Sequence, residues 1–201
     1  NSTPHLTPAS LVGRSFAPNS FAGATVALVG YCPRPRALDK YHLKNTRNQY
    51  FIHVPPGSVQ ICEYRGVRFL SIAHVYGGPV SAALVEELAY YGVKYILAYG
   101  LAGGLGTKGL KMGDFYQVSR ALALDGTTPH YSSDAVIPSD SRLNGVVRAL
   151  GKQKRLPKLT PVQAWTSDAI YREYDEKLAH AKAAGCDIVN CDSSHLFAVS
   201  R

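Results

Sequence analysis

Short apolar runs recur along the chain at lengths that suit buried β-strands. Five of these runs predict strands, at residues 25–29, 93–99, 115–121, 161–166 and 187–191. Residues 59–75 alternate between apolar and polar side chains around Arg65-Gly66, which predicts a hairpin whose second arm is a core strand. Together these segments predict a mixed β-sheet.

Helical periodicity follows several of the predicted strands. Pro79 suits the first turn of a helix, and the apolar spacing of SAALVEELAYYG continues that helix to a stop at Gly92. Further helices are predicted at residues 141–150, 171–184 and 193–200, with a loop at residues 125–140. Alternating strands and helices predict an α/β fold, with a central mixed β-sheet flanked by helices in a single domain.

A segment rich in Pro, Ser and Asn opens the chain. We expect residues 1–22 to form an N-terminal arm and residues 23–201 to form the α/β domain. The chain has 201 residues, of which 46% are hydrophobic, and this is enough for one sizeable core.

The net charge is +8, and basic residues concentrate at residues 34–47 and 148–158. Such runs can bind phosphate groups, but a solvated surface is their commoner role. No aromatic RNA-binding motif, zinc finger or heptad accompanies them, so we expect no nucleic-acid partner and keep an anion or RNA binder as a weaker alternative.

The histidines and cysteines show no metal-ligand spacing, so we expect no metal. We expect no membrane span, because no run of about 18 apolar residues occurs.

Two glycine turns follow predicted strands. Gly77-Gly78-Pro79 would expose backbone N–H groups at the positive end of a helix dipole, which suits an anion, although a turn chosen only for its geometry is the simpler alternative. The glycine loop at residues 100–106 lets backbone approach a ligand closely, but it is neither a P-loop nor a dinucleotide fingerprint. Open α/β sheets bind ligands where strand ends meet glycine turns, so the sequence predicts a small-molecule site.

Two carboxylates also follow predicted strands, Asp168 within WTSDAIY and Asp192 within VNCDSSHLF. A carboxylate at a strand end can take part in acid–base chemistry, or it can accept both hydroxyl protons of a sugar diol. Helix N-capping is the commoner role of Asp at such a junction.

Five segments in order resemble the nucleoside phosphorylase superfamily, which includes uridine phosphorylases, hexameric purine nucleoside phosphorylases and methylthioadenosine nucleosidases. These segments are YGGPVSAALVEEL, GLAGGLGTKGLKMGD, DGTTPHY, WTSDAIY and VNCDSSHLF. Members of that family cleave the N-glycosidic bond of a nucleoside through an oxocarbenium-like sugar, which phosphate or water attacks. The resemblance implies a nucleoside phosphorylase-like fold, a cytoplasmic homo-oligomer (a dimer or a trimer of dimers), and no cofactor beyond inorganic phosphate as co-substrate.

The resemblance also implies roles for residues in the second half of the chain. Asp192 would hold the ribose hydroxyls, with Cys191 against the face of the sugar. The residues implied for the base pocket and its surroundings are Gly103, Gly104, Asp168, Ile170 and Tyr171.

The implied anion-binding residues lie in the first half of the chain. Gly30 and Arg34 keep the Gly-to-Arg spacing of the family's G-D-P-x-R turn, so Arg34 or Arg36 would bind the anion. The segment YGGPVSAALVEEL would contribute Gly78 and Ser81. In the arm, His5 would correspond to a histidine that reaches into a neighbouring subunit's site.

Three departures from the family pattern weaken the implied phosphate site and sugar site. Ala98 stands where the phosphorylases have an Arg, and Ala102 replaces a phosphate-binding Thr. Each lost charge-assisted contact costs about 1.5–3 kcal/mol. Asp192 is one methylene shorter than the usual Glu. The chain also stops before the closing strand of its relatives, so we expect the family's C-terminal strand and helix to be missing.

We therefore expect a pentosyltransferase that cleaves the N-glycosidic bond of a nucleoside with phosphate as acceptor. Likeness to the uridine phosphorylases favours this function slightly. Hydrolysis by a nucleosidase is the first alternative, because GLAGGL resembles the nucleosidase loop. A catalytically inactive family member that acts as a scaffold is the second.

Overall fold

The computed structural model describes residues 4–21, 23–153, 157 and 159–201. Contacts between backbone positions divide the chain into two compact units, Asn1–Leu101 (unit 1) and Ala102–Arg201 (unit 2). Each unit is described by itself. Residues 154–156 and 158 of the second predicted basic run lie outside the described residues.

Unit 1 is built on a five-stranded mixed sheet with the strand order β2-β3-β4-β1-β5. Its helices and strands are α1 (Pro8–Leu11), β1 (Val26–Gly30), β2 (His42–Asn45), β3 (Val59–Tyr64), β4 (Val67–Ile72), α2 (Gly78–Tyr90) and β5 (Tyr95–Tyr99). Strand β1 runs parallel to β4 and β5, whereas β3 is antiparallel to β2 and β4. The carboxyl ends of β1, β4 and β5 therefore meet at one edge of the sheet.

The predicted hairpin and the predicted first long helix are both confirmed. Arg65 and Gly66 have φ angles of 51° and 79°, the left-handed backbone that a two-residue hairpin turn requires. Gly77 and Gly92 bracket α2 with φ angles of 85° and 83°. Glycine adopts this backbone without strain, which explains why the helix begins and ends where the sequence indicates.

The segment predicted as an arm packs into unit 1. Thr7 caps α1 by accepting a hydrogen bond from the Ser10 backbone N–H, and the Thr7 backbone N–H donates to the Ser10 hydroxyl in return. Val12 and Phe21 are buried in the hydrophobic core of unit 1. Residues 4–21 are therefore part of this unit, because Val12 and Phe21 pack into its core.

Unit 2 has its own five-stranded mixed sheet, with the strand order β6-β10-β9-β7-β8. Its helices and strands are β6 (Gly103–Gly104), β7 (Tyr116–Ala123), β8 (Val136–Pro138), α3 (Ser141–Lys152), β9 (Thr160–Thr166), α4 (Asp175–Ala183), β10 (Ile188–Asn190) and α5 (Ser193–Val199). Strands β7, β9 and β10 are parallel, so their carboxyl ends also share one edge.

Two predictions for unit 2 need correction. The predicted loop at residues 125–140 contains β8, which pairs with β7 through Ile137, a fully buried side chain. The predicted helix at residues 171–184 begins only at Asp175. Tyr174 is extended, and Asp175 and Glu176 favour the positive end of the helix dipole.

Within the described residues, no helix is long and apolar enough to cross a membrane. In the same part of the chain, no group of three or more His, Cys, Asp or Glu side chains is arranged to hold a metal ion.

Glu87 is a buried carboxyl group in α2, with only 3% of its surface exposed. The Ile52 backbone N–H donates to its Oε1 atom at 3.1 Å, while Oε2 has no hydrogen-bond partner in the part of the chain that the structure describes. Burial, with a smaller contribution from Glu86, raises the pKa of Glu87 to about 7. Between pH 4.5 and about 7, where an ordinary Glu is mostly ionised, Glu87 is therefore mostly protonated.

We expect Glu87→Gln to flatten the dependence of folding stability on pH. The unfolded chain releases the Glu87 proton near pH 4.5, and the folded chain holds it up to a pKa of about 7, so rising pH removes stability within this window. The loss in the wild type is on the order of 3 kcal/mol, because each pKa unit corresponds to about 1.4 kcal/mol. Urea unfolding at a series of pH values measures it. The exposed Asp39→Asn is the control, and an unchanged slope in Glu87→Gln contradicts the prediction.

Candidate active site

The carboxyl ends of β1 and β5 lie against each other in unit 1. Gly30 pairs with Tyr99 in the sheet, and a Cβ atom on Gly30 would lie 2.6 Å from the Tyr99 ring. The Tyr31 backbone N–H donates to the Tyr99 carbonyl oxygen at 2.9 Å. The absence of a side chain at Gly30 therefore lets the Tyr99 ring cover the end of β1.

Arg34 follows β1 and contacts Ser71 in β4 and Ser58, the residue just before β3. Its terminal nitrogen Nη2 donates to the carbonyl oxygens of Ser58 (2.8 Å) and Ser71 (3.1 Å), and its Nε donates to the Ser71 hydroxyl at 3.1 Å. The guanidinium group is thus engaged by the protein itself. Arg36, the other predicted anion-binding residue, is exposed and begins a short 3-10 helix.

The start of α2 brings together a serine and a tyrosine. Gly78 is the first helical residue and is buried, and Ser81 lies one turn along with 1% of its surface exposed. The Tyr31 phenol oxygen lies 2.5 Å from the Ser81 hydroxyl oxygen. The structure thus brings the predicted residues Gly30, Gly78 and Ser81 to one edge of the unit 1 sheet.

Asp192 is a buried carboxyl group at the carboxyl edge of the unit 2 sheet. It lies between β10 and α5, with 7% of its surface exposed. Its Oδ1 atom has no hydrogen-bond partner among the described residues, and burial raises the pKa of the group to about 7. A buried, unpartnered carboxyl oxygen is costly for folding, and a ligand hydroxyl could satisfy it.

Asp168 follows β9 and is exposed. Its Oδ2 accepts a hydrogen bond from the Gly126 backbone N–H at 2.6 Å, which ties the end of β9 to the loop after β7. It does not cap α4, whose N-cap residue is Tyr174. The helix-capping alternative therefore does not apply to Asp168.

The remaining predicted site residues are spread over both units. Ile170 and Tyr171 are 62% and 90% exposed, and Cys191 is partly buried next to Asp192. Gly103 pairs with Val189 across β6 and β10, and a Cβ atom on Gly103 would lie 3.1 Å from the Val189 side chain. The other two predicted residues, His5 in unit 1 and Gly104 in unit 2, are exposed.

His195 is a fully buried imidazole in the first turn of α5. Its Nε2 atom lies 2.9 Å from the Cys191 carbonyl oxygen, so Nε2 carries the proton and donates. Burial lowers the pKa of His195, partly offset by this hydrogen bond and by Asp125. The imidazole is therefore neutral and holds the Cys191 backbone just before Asp192.

A sequence model of the phosphorylase superfamily matches residues 25–201. The chain belongs to the phosphorylase superfamily. This superfamily contains nucleoside phosphorylases and nucleosidases, in agreement with the family that the sequence resembles.

One relative is similar to this chain over nearly its whole length. The uncharacterized protein R802 of Acanthamoeba polyphaga mimivirus is 35% identical over 200 residues, which cover 97% of this chain and 75% of R802.

Solved structures of the superfamily share the fold. Uridine phosphorylase from Vibrio fischeri superposes with a TM-score of 0.72 at 18% identity, covering 90% of this chain and 74% of that chain. Futalosine hydrolase from Helicobacter pylori gives 0.68 at 14% identity, covering 88% and 82%. The 5′-methylthioadenosine/S-adenosyl homocysteine nucleosidase of Campylobacter jejuni gives 0.67 at 17% identity, covering 88% and 79%. The predicted nucleoside phosphorylase-like α/β fold is thereby confirmed.

Within this superfamily member, the structure adds residues that the sequence analysis did not single out. Ser194, two residues after Asp192, donates a hydrogen bond to Asp125, and Tyr31 contacts Ser81. A signal for Asp125 was present, because it follows the end of β7 just as Asp168 and Asp192 follow β9 and β10. No sequence signal indicated that Ser194 is its partner.

Proposed function

We propose that this chain binds a nucleoside and hydrolyses its N-glycosidic bond. The observation that carries this proposal is the Oδ1 atom of Asp192, which is buried where three parallel strands end and has no hydrogen-bond partner among the residues that the structure describes. Such a carboxyl group can accept hydrogen bonds from the vicinal hydroxyls of a sugar. Superfamily membership supplies the reaction class.

The reaction breaks the bond between the sugar C1′ and a nitrogen of the base. The bonding electrons leave with the base nitrogen, which takes up a proton, and the oxygen of water bonds to C1′ and releases a proton. Positive charge develops on the sugar ring in the transition state. An ionised Asp192 that accepts hydrogen bonds from the sugar hydroxyls is negatively charged and stabilises this positive charge. Its contact with the sugar is therefore stronger in the transition state than in the bound substrate.

Water is favoured as the acceptor because Arg34 is engaged by its own unit. Phosphate would have to compete with the carbonyl oxygens of Ser58 and Ser71 for the Arg34 donors. Ala98 and Ala102 provide no replacement for the missing charge or hydroxyl. The hydrolases among the structural neighbours, which act on futalosine and methylthioadenosine, are consistent with this choice.

Phosphorolysis is the second candidate function. Gly78 and Ser81 lie at the start of a 13-residue helix whose dipole favours an anion, and Arg34 keeps the family's spacing from Gly30. In this alternative the Arg34 guanidinium turns from its carbonyl partners towards phosphate.

We expect the purified protein to release free base from at least one nucleoside without phosphate. The panel includes uridine, purine nucleosides, methylthioadenosine, S-adenosylhomocysteine and futalosine, and chromatography identifies both the base and the sugar product. Release with free sugar supports hydrolysis. A sugar 1-phosphate formed only with phosphate supports the second candidate instead.

An absence of release from every nucleoside under both conditions contradicts the proposed activity. That outcome favours the non-catalytic scaffold. Asp192→Asn is the control for contaminating enzymes, because any release that survives unchanged in this variant does not come from the Asp192 site.

A further inference from the structure

Asp125 is a buried carboxylate directly after β7, and the proposed reaction assigns it no contact with the substrate. Its Oδ1 accepts hydrogen bonds from the backbone N–H groups of Thr127 (3.0 Å) and Thr128 (2.8 Å). Its Oδ2 accepts from the hydroxyls of Thr128 (2.7 Å) and Ser194 (2.5 Å). Four donors therefore converge on one side chain that is 7% exposed.

Ser194 connects Asp125 to the neighbourhood of Asp192. It lies in the first turn of α5, two residues after Asp192. Its backbone N–H donates to the Thr166 hydroxyl oxygen at 2.9 Å, and the Thr166 hydroxyl donates in turn to Asn190 Oδ1 at 3.4 Å. Ser194 is thus tied to β9 through its backbone and to Asp125 through its side chain.

Hydrogen bonds of the Asp192 side chain do little to fix its position. Its Oδ1 has no partner in the described part of the chain, whereas the residues on both sides of it are held. The Asn190 amide donates to the Ser193 hydroxyl at 2.7 Å, and Ser194 is bound as above. The position of the Asp192 carboxyl group therefore depends on the backbone that flanks it.

We propose that Asp125 is a positioning residue for Asp192, acting through Ser194 to hold the first turn of α5 in place. This inference rests on the proposed function, in which Asp192 contacts the sugar hydroxyls. The state of Asp125 suits the role. Burial raises its pKa, but hydrogen bonds from Ser194 and Thr128 outweigh burial and leave the pKa below its ordinary value. Asp125 is therefore ionised, and an ionised acceptor binds a hydroxyl more strongly than a neutral one.

The expected effect is on the chemical step, because a shift of about 1 Å in a contacting group can cost roughly 100-fold in rate. We expect Asp125→Asn and Ser194→Ala each to lower kcat by roughly 10- to 100-fold, with KM changed less than about threefold. Ser194→Thr keeps the hydroxyl and retains most of the wild-type kcat. The Asp125→Asn/Ser194→Ala double variant loses little more than the worse single variant, since both changes break the same connection. If the loss of kcat in the double variant equals the product of the two single-variant losses, the proposal is overturned.

Asp187→Asn is the matched control, because Asp187 is another buried carboxylate of unit 2, just before β10. It accepts hydrogen bonds from Lys108 Nζ (2.8 Å), the Gln163 backbone N–H (3.0 Å) and the Thr107 hydroxyl (3.0 Å). We expect Asp187→Asn to lower the unfolding temperature while kcat stays within about threefold of wild type. If Asp125→Asn does the same, Asp125 is merely structural and the proposal is wrong.

The Asp192→Asn variant separates failure of this inference from failure of the proposed function. If Asp192→Asn is inactive and Asp125→Asn keeps the wild-type kcat, only the positioning role is overturned. If Asp192→Asn is fully active, or if no nucleoside is cleaved, the proposed function fails.

The positioning role is then decided by carbon NMR of the Asp192 carboxyl group. Its titration midpoint is expected to shift by about half a pH unit in Asp125→Asn but not in Asp187→Asn. Equal midpoints in both variants and wild type overturn it.

Discussion

Asp192→Asn is expected to lower kcat/KM for nucleoside cleavage by about 100-fold or more. A carboxylate that accepts two sugar hydroxyls makes charge-assisted hydrogen bonds of about 1.5–3 kcal/mol each, and a tenfold change in rate corresponds to about 1.4 kcal/mol. Asn keeps the size of the side chain but carries no charge against the developing positive sugar. Steady-state kinetics on the best substrate of the nucleoside panel measures the loss.

The raised pKa of Asp192 also leads to a prediction of how kcat/KM depends on pH. Because burial raises the pKa of Asp192 to about 7, the group is mostly protonated below that pH. If the ionised form is the one that stabilises the transition state, kcat/KM of the wild type rises as pH increases through about 7. The residual activity of Asp192→Asn is expected to lack this rise.

Stability provides the internal control for Asp192→Asn. The folded state holds the Asp192 proton up to about pH 7, while the unfolded chain releases it near 3.8, so the wild type, unlike the variant, loses stability at this site as pH rises between these two values. The variant should therefore be at least as stable as the wild type at pH 8, and its lost activity cannot be ascribed to unfolding. Exposed Asp134→Asn, which breaks a surface ion pair with Arg201, is expected to leave both properties unchanged. A variant that keeps wild-type kcat/KM contradicts the role of Asp192.

Trp165→Ala is expected to cause a large loss of stability, about 3–5 kcal/mol. Trp165 lies in β9, is 1% exposed, and is the single tryptophan of the chain. The buried residues of its cluster are Leu105, Leu122, Ala181, Cys186 and Val189. Truncation removes the largest side chain of this cluster and leaves a cavity. Circular dichroism follows the unfolding, because the variant lacks tryptophan fluorescence.

Trp165→Phe separates packing from hydrogen bonding at the same position. The indole Nε1 of Trp165 has no hydrogen-bond partner in the described residues, and a buried unsatisfied donor costs about 1–3 kcal/mol. Phe fills most of the space and removes that donor, so we expect a net change within about 1 kcal/mol. An equal loss in Phe and Ala would show that the size of the indole ring, rather than apolar burial in general, decides stability here.

Much of the fold could be predicted because the turn residues and helix-end glycines stand where the apolar pattern of the strands and helices begins or ends. Gly77 and Gly92 supply left-handed backbone at the two ends of α2, and Arg65-Gly66 forms the predicted turn. Strands β1, β5, β7 and β9 coincide with apolar runs of the sequence. The sequence predicts Asp192 as a site residue, and both this assignment and its role in cleavage stay predictions.

The missed elements lack a pattern of their own. All four residues of β2 are exposed, so no buried face marks this strand, and β8 has the single buried side chain of Ile137. Strand β6 consists of Gly103 and Gly104, which carry no side chains to signal pairing. These strands form because neighbouring strands offer hydrogen-bond partners, a property of the assembled sheet.

The sequence by itself determined the family, the α/β class, the glycine turns and the acidic residues that follow the strands, because each depends on residues close together along the chain. Only the tertiary structure decided which of these side chains are free for a ligand. Arg34 donates to carbonyl oxygens that lie 24 and 37 residues away, and Ser194 donates to Asp125 across 69 residues. Asp192, in contrast, is buried, and its Oδ1 atom has no partner within the described part of the chain. Partners so distant in sequence are set by the order of the strands in the sheet, and burial is set by everything packed around a group.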